Sequence, residues 1–200
     1  MKQIGYAFCG SFCTLSHSLA SLRRIRAEGI VFPGDSQPQT ELQIIPIMSE
    51  AVYQTDTRFW RAEEFRRVVE DMCGHEIIHT IVDAEPLGPV HRLDALVISP
   101  CTGNTLAKIA RGITDSPVTM AAKAHLRADR PTLIALASND SMSANLQNIA
   151  ELLMRKQVFF VPMRQDDPDS KPHSLVADFT CLADCLSYAL AGRQRRPLFL

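Results

Sequence analysis

Short apolar runs alternate with amphipathic helical patterns along this chain, and this alternation restricts the possible folds more than any other feature. The runs that predict strands are 4–8, 42–48, 76–82, 94–98, 132–137 and 158–161. The helical patterns are 15–25, 61–72, a helix that begins at 103–105, 146–153 and 179–190. Continuous apolar strands alternating with helices are typical of a parallel sheet covered on both faces. The sequence therefore predicts a three-layer α/β protein.

Length and composition favour one domain that spans residues 1–200. The chain is 46% hydrophobic and 22% charged, which is ordinary for a globular protein able to bury its own core. Neither a repeat nor a linker divides it; the proline-bearing stretches 84–89 and 165–173 are interpreted as loops. The net charge of -1 argues against a nucleic-acid-binding surface, and no apolar run has the length of a membrane span.

The N-terminal segment and the cysteines bear on cellular location. Residues 3–22 contain no Asp, Glu, Lys or Arg and therefore resemble a secretory signal. Glycine and serine residues interrupt the apolar run, however, which favours a strand, a turn and a helix instead. Four of the six cysteines form two C-x3-C pairs, and the six together lack the spacing of a zinc site or a disulfide framework. The six histidines are scattered along the sequence, and no metal site is expected. We expect reduced thiols and a cytoplasmic protein.

Small and polar residues follow the first two strands. Because ligands of such sheets bind at the carboxyl ends of the strands, these loops are candidate sites. Gly10-Ser11-Phe12 could hold a phosphate at the start of a helix, and a tight turn explains it equally well. Ser49 follows the second strand and either caps a helix, the default interpretation, or directs its hydroxyl at the same phosphate.

The loops after the strands at 94–98 and 132–137 are also polar. The density of polar groups from Ser99 to Thr105 exceeds what helix capping requires and favours a site, with Asn104 as donor and acceptor for a heterocycle. Cys101 is either a reactive thiol at a helix N-terminus or, as we favour, a small packing residue. The loop 138–142 carries catalytic groups or caps the next helix, and its sequence does not decide between these.

Basic residues suggest a dicarboxylate ligand. Arginine and lysine pair with carboxylates, although a solvated helix face is the simpler interpretation of any one of them. The basic and histidine side chains considered for this role are Lys123, His125, Arg127, Arg130, Lys171 and His173.

The segment 100–108, followed by 112–115, resembles the P-x-S-x-N-T-x-A-K…G-x-x-D signature of the FMN-binding flavoproteins. That family includes phosphopantothenoylcysteine and lantibiotic cysteine decarboxylases and flavin prenyltransferases. Longer strings throughout the chain are similar to a subfamily, the B subunits of dipicolinate synthase. These strings are 10–14, 46–50, 55–59, 83–89, 99–130, 138–140, 160–162 and 165–168.

The resemblance implies a flavodoxin-like or Rossmann-like fold, an FMN cofactor and homo-oligomers built from trimers. Carried over by position, Gly10, Ser11 and Ser49 would hold the FMN phosphate. The ribityl chain and isoalloxazine would be lined by Pro100, Thr102, Asn104 and Thr105. The neighbouring loop residues expected to contribute to the cofactor site are Phe12, Cys101, Ser138 and Asn139. Arg58, Lys123 and His125 are candidates for the substrate carboxylates.

The resemblance also implies a partner and a reaction. The partner is the A subunit of dipicolinate synthase, similar to nicotinamide-dependent dehydrogenases and expected to use NADP, in the mother cell of a sporulating bacterium. The reaction dehydrates and oxidises 4-hydroxy-tetrahydrodipicolinate to dipicolinate. Alternatively, the chain is a non-catalytic partner with an empty flavin site.

The sequence departs from the pattern at four places. The decarboxylases carry a histidine where this chain has 84–89, and a P-x-M-N-x-x-M-W motif where it has 137–142, so their mechanism is not implied. Residues 32–40 resemble an added loop, and Trp60 stands where a small residue is expected.

Overall fold

The computed structural model describes residues 1–88 and 90–200, and the strands in this part of the chain form one mixed sheet of seven. Strands β1 to β5 are parallel to one another and lie in the order β2-β1-β3-β4-β5. Beyond the end of β5, β7 pairs antiparallel with the last residues of β4, and β6 pairs antiparallel with β7. The strands are β1 (Lys2–Phe8), β2 (Leu42–Met48), β3 (Ala95–Cys101), β4 (Thr132–Ser138), β5 (Val158–Phe160), β6 (Met163–Arg164) and β7 (Leu175–Ala177).

Helices cover both faces of this sheet. They are α1 (Leu15–Glu28), α2 (Glu50–Gln54), α3 (Ala62–Cys73), α4 (Ile81–Ala84), α5 (Gly103–Arg111), α6 (Pro117–Leu126), α7 (Leu146–Leu153) and α8 (Leu182–Leu190). Short 3-10 turns at Phe12–Thr14 and Phe179–Cys181 lead into α1 and α8. None of the helices in 1–88 and 90–200 is long and apolar enough to cross a membrane.

Two apolar cores lie on the two sides of the sheet. Alternate residues of a strand point to opposite faces, so Tyr6 and Phe8 of β1 join the core under α1, α3 and α8. Ala7 belongs to the other core, which packs against α5, α6 and α7. Burial of both faces explains why the strands are apolar without alternation.

Local signals set the ends of several helices. Gly29 ends α1 with a φ of 74°, and a Cβ there would lie 2.4 Å from the carbonyl oxygen of Gln39. The segment 32–40 therefore closes as a loop, with Ile30 and Gln39 paired antiparallel at its base. Ser116 and Thr119 form a reciprocal capping box that begins α6.

The predicted α/β class, three layers and parallel central strands are confirmed. The strand predicted at 76–82 is wrong: only Ile78 pairs with β2, opposite Ile47. The chain then turns into α4 because the Thr80 hydroxyl accepts the Asp83 N–H, a cap that favours helix over strand. Residues 85–88 form the predicted loop, and the predicted loop residue Pro89 lies outside the described residues.

The sequence interpretation also missed the antiparallel strands β6 and β7. Both are shorter than four residues and their hydrogen bonds come from distant parts of the chain, so no local periodicity marks them. The predicted polar loop at 165–173 lies between them, which directs it toward the carboxyl end of β4.

Candidate functional site

The carboxyl ends of β1 and β3 meet at the point where the strand order reverses. From β1 the chain crosses to β2 on one side, and β3 lies on the other side. The Cys9 N–H donates to the Pro100 carbonyl oxygen at 3.1 Å, which brings the two loops side by side. Such a reversal opens a crevice in parallel sheets and is the usual place for a ligand.

A cleft of about 800 Å³ lies at this edge of the sheet. A volume of this size accommodates a cofactor or a small substrate. The residues that line it come from the loops after β1, β3 and β4, from the segment before α3, and from the β6–β7 connection. They are Gly10, Ser11, Phe12, Cys13, Thr14, His17, Arg58, Phe59, Thr102, Gly103, Ala137, Ser138, Asn139, Asp140, Asp166, Lys171 and Val176.

The loop after β1 leaves space close to its backbone. A Cβ at Gly10 would meet the Ala51 side chain at 3.5 Å, an ordinary contact, so the glycine leaves room without being sterically required. The Ser11 hydroxyl accepts a hydrogen bond from Thr14 Oγ1 at 2.9 Å and does not cap its helical turn. The start of the α1 region can therefore offer backbone N–H groups to an anion.

Ser49 is anchored by its backbone alone. Its N–H donates to the Phe8 carbonyl oxygen at 3.0 Å, which places it beside the end of β1. Its Oγ is buried, makes no cap for α2 and has no hydrogen-bond partner within residues 1–88 and 90–200. Buried hydroxyls are normally hydrogen-bonded, so this atom fits a ligand that is bound next to Gly10.

The loop after β4 packs on the first residue of α5. Thr102 caps α5 by accepting the Thr105 N–H at 3.1 Å. A Cβ at Gly103 would lie 2.4 Å from Ser138 Oγ and 2.9 Å from Asp140 Oδ1, so glycine is needed for this approach. Hydrogen bonds from Ser138 and then Asn145 lower the pKa of Asp140 from its ordinary value.

Charged side chains surround the mouth of the cleft. Arg58 stacks on Phe59 at 4.8 Å and forms no ion pair with any residue that the structure describes. Lys171 pairs with Asp166 at 2.9 Å, and this ion pair lowers the pKa of Asp166 and raises that of Lys171. The indole N–H of Trp60 donates to Ser16 Oγ at 3.0 Å. This hydrogen bond holds the segment that contains Arg58 in place against α1.

A model of the family described as Flavoprotein matches residues 36–178. The B subunit of dipicolinate synthase from Bacillus subtilis (strain 168) is 38% identical over 199 residues, covering 100% of this chain and 94% of that protein. The chain belongs to the Flavoprotein family. It is a homologue of the dipicolinate synthase B subunits, as the resemblance in the sequence implied.

Solved structures agree with this assignment. The crystal structure of the dipicolinate synthase B subunit from Bacillus halodurans C superposes on this flavoprotein with a TM-score of 0.86 and 34% identity, covering 100% of this chain and 96% of the other. The FMN-dependent cysteine decarboxylase SpaF has a TM-score of 0.65 at 22% identity, with 96% of each chain covered. The second likeness establishes the shared fold alone.

The fold brings most predicted cofactor residues of this flavoprotein to the cleft. Six of them line it: Gly10, Ser11, Phe12, Thr102, Ser138 and Asn139. Ser49 is outside this lining and lies beside the end of β1, where its N–H donates to the Phe8 carbonyl oxygen. Cys101 is fully buried in the core, and this burial raises the pKa of its thiol well above the ordinary value. Thr105 is also buried and accepts a hydrogen bond from Thr102.

Pro100 and Asn104 lie close to the cleft but outside its lining. Pro100 is buried in β3 and contributes its carbonyl oxygen to the contact with Cys9. Asn104 is exposed in the first turn of α5, on the outer surface of this chain.

Two of the predicted substrate residues lie at the opposite edge of the sheet. Lys123 and His125 belong to the last turn of α6, whose C-terminus leads into the start of β4. His125 Nε2 donates to the Pro131 carbonyl oxygen at 2.9 Å, immediately before β4. Arg58, in contrast, lines the cleft.

Among the acidic and histidine side chains that line the cleft, the sequence interpretation assigned none of Asp140, Asp166 and His17 to the site. Asp140 follows Asn139 in a loop already singled out, so its acidic side chain after a strand end was an available signal. Asp166 reaches the cleft through β6 and β7, which have no sequence signature. No group of three His, Cys, Asp or Glu side chains that could hold a metal is found in the described part of the chain.

Proposed function

We propose that the cleft binds FMN and that the chain acts as the B subunit of a dipicolinate synthase. The single observation that carries the cofactor part is the buried Oγ of Ser49, which lies beside the end of β1 and has no hydrogen-bond partner among the residues that the structure describes. A phosphate bound there would satisfy this hydroxyl and receive N–H groups at the start of the α1 region. Membership of the Flavoprotein family supports a flavin as the bound molecule.

Three groups of residues would hold the cofactor. Gly10, Ser11 and Ser49 would surround its phosphate. Thr102 would contact the ribityl chain, and Ser138 and Asn139 would lie along the ring system, because they continue the same cleft toward β4. Bound FMN supplies a two-electron oxidant.

The proposed substrate is 4-hydroxy-tetrahydrodipicolinate. Loss of water and then of two electrons and two protons makes its ring aromatic and gives dipicolinate. Arg58 would bind a substrate carboxylate, since it lines the cleft and its guanidinium has no carboxylate partner among the described residues. The 38% identity to a dipicolinate synthase B subunit supports this substrate.

The proposal includes a partner and an assembly. The partner is an A subunit that uses NADP, and the complex works in the mother cell during sporulation. We take residues 1–200 as one domain that assembles into homo-oligomers built from trimers. Light scattering of the purified chain measures the oligomer size, and co-elution with the A subunit tests the partnership.

A second candidate is a non-catalytic B subunit that stabilises the A subunit without flavin. The position of Asp140 favours it, because its carboxylate lies against the first residue of α5 and would repel an anion from that helix end. The two candidates make opposite predictions for a visible absorption spectrum.

The deciding experiment is a spectrum of the purified chain before and after addition of FMN and removal of the excess by gel filtration. We expect the flavin absorbance to stay with the protein in stoichiometric amount. A folded chain that loses all flavin, while it still co-elutes with the A subunit, would contradict the FMN site and support the non-catalytic candidate.

A further inference from the structure

The carboxylate of Asp140 is fixed in position although it is exposed in the cleft. The side-chain amide of Asn145 donates to both of its oxygens at 2.9 Å, and Ser138 Oγ donates to Oδ1. Asn145 is held in turn by the amide of Asn148, at 2.9 Å. Asn145 and Asn148 are only 5% and 8% exposed, so a buried amide pair orients an exposed acid.

Capping of the loop does not account for this arrangement. The turn that follows is closed by the backbone, since the Asp140 carbonyl oxygen accepts the N–H groups of Ser143 and Asn145, both at 3.1 Å. The side chain is therefore not needed to close the turn. Its rigidity instead resembles that of a group preorganised to meet a ligand.

The cleft thus presents one fixed negative charge and one positive charge. The donors to Asp140 favour its ionised form. Arg58 is the cleft cation without an ion-pair partner in the described residues, whereas Lys171 is neutralised by Asp166. A plain dicarboxylate would meet repulsion at Asp140, and a ligand that also carries a cationic nitrogen would match both charges.

We infer that Asp140 is a specificity-determining residue of the cleft, which accepts a hydrogen bond from a protonated nitrogen of a zwitterionic substrate whose carboxylate binds Arg58. The ligand class is a cyclic amine or imine flanked by carboxylates. This inference rests on the proposed function, because it takes the same cleft as the substrate site. It adds that the cleft distinguishes the protonated ring from the aromatic product, whose ring nitrogen carries no proton.

The test compares two ring compounds with carboxylates at the same two positions, piperidine-2,6-dicarboxylate and pyridine-2,6-dicarboxylate, at neutral pH. The first carries a protonated ring nitrogen and the second does not. Calorimetric titration of the FMN-supplemented chain should give tighter binding of the piperidine probe. Asp140→Asn should weaken that probe roughly 10- to 100-fold, the effect of losing a hydrogen bond to a charged group, and leave the pyridine probe unchanged or bound more tightly.

Three further measurements separate specificity from structure. Asp35→Asn, an exposed change in the loop after α1, should leave both affinities unchanged. Asp140→Asn should keep the circular dichroism spectrum and the FMN retention of the parent chain. Asn148→Ala, which removes the support without touching the ligand, should weaken the piperidine probe more than the pyridine probe.

The outcomes are distinct. Equal loss of both probes in Asp140→Asn, or no preference between them in the parent chain, overturns the role of Asp140 and leaves the proposed function standing. If the chain retains FMN but binds neither probe, both this inference and the proposed substrate class fail, and the cofactor proposal survives.

Discussion

The hydroxyl groups of Tyr6 and Ser18 lie 3.0 Å apart in the core and join β1 to α1. Ser18 Oγ also lies 2.6 Å from the Ser99 carbonyl oxygen and 2.9 Å from Ser99 Oγ, so the chain of contacts continues into β3. Ser18 and Ser99 are fully buried. These buried hydrogen bonds connect α1 to β1 and β3, the two strands whose carboxyl ends form the candidate site.

Ser18→Ala should therefore destabilise the protein by about 1–3 kcal/mol, because it removes the side-chain partner of the buried Ser99 hydroxyl. It also removes one of the two contacts of the Tyr6 hydroxyl, which keeps its hydrogen bond to the Ser18 carbonyl oxygen. Urea denaturation measures the change. Arg23→Ala, at an exposed position of the same helix, is the control and should change the unfolding free energy by less than about 0.5 kcal/mol. Equal unfolding free energies of the two variants would show that these buried hydrogen bonds contribute nothing to stability.

Ser49→Ala should reduce FMN retention roughly tenfold or more without loss of stability, because the hydroxyl that it removes has no hydrogen-bond partner in 1–88 and 90–200 and would bind the phosphate. Fluorescence titration with FMN measures the affinity. Thr132→Val removes another buried hydroxyl that has no partner among the described residues, at the amino end of β4, and should leave FMN binding unchanged. Unchanged affinity in Ser49→Ala would remove the main support for the phosphate position.

Gly103→Ala should disturb the loop after β4. The new methyl group would lie 2.4 Å from Ser138 Oγ and 2.6 Å from Asn145 Nδ2, and such overpacking typically costs about 1–3 kcal/mol. Thermal unfolding measures it. Gly10→Ala has room for its methyl group and should unfold like the parent chain, so a similar Tm for both variants would contradict the packing argument.

His125 should make stability depend on pH. Burial is the main cause that lowers its pKa to about 4 from an ordinary 6.5. The unfolded chain therefore takes up the proton first as the pH falls, so the stabilising contribution is complete above pH 6.5 and is lost toward pH 4. The loss is roughly 2–3 kcal/mol.

Urea denaturation at several pH values between 7.5 and 4.5 measures this effect. His125→Gln can keep a donor toward the Pro131 carbonyl oxygen and should flatten the decline. His91→Gln, at an exposed position, should keep it. A decline that persists unchanged in His125→Gln would assign the effect to other groups.

The cysteines should differ in reactivity by position. Cys13 is exposed and lines the cleft, so iodoacetamide at pH 8 should label it first, and added FMN should slow the labelling. Burial raises the pKa of Cys9 to about 11 and raises that of Cys101 well above its usual range, so both should react only after unfolding. Mass spectrometry follows each site, and early labelling of Cys101 would contradict its place in the core.

The antiparallel part of the sheet could not be predicted from the sequence. The strand predicted at 76–82 failed for a related reason, because a single bridge at Ile78 and a cap at Thr80 decide the path of that segment. Both cases depend on partners that are distant in the sequence. Apolar runs reveal a strand only where the strand is long enough to bury a face.

The sequence by itself determined the α/β class, the central parallel strands and the loops after β1 and β3, because apolar runs and helix caps act on neighbouring residues. It also determined the family, because motif residues can be compared directly with those of other sequences. Tertiary structure alone decided which side chains meet in the cleft. It separated Lys123 and His125 from Arg58, because helices return the chain to the opposite edge of the sheet. It also brought Asp166 and Lys171 to the site and fixed Asp140 through Asn145 and Asn148, because hydrogen bonds between distant segments depend on how the whole chain packs.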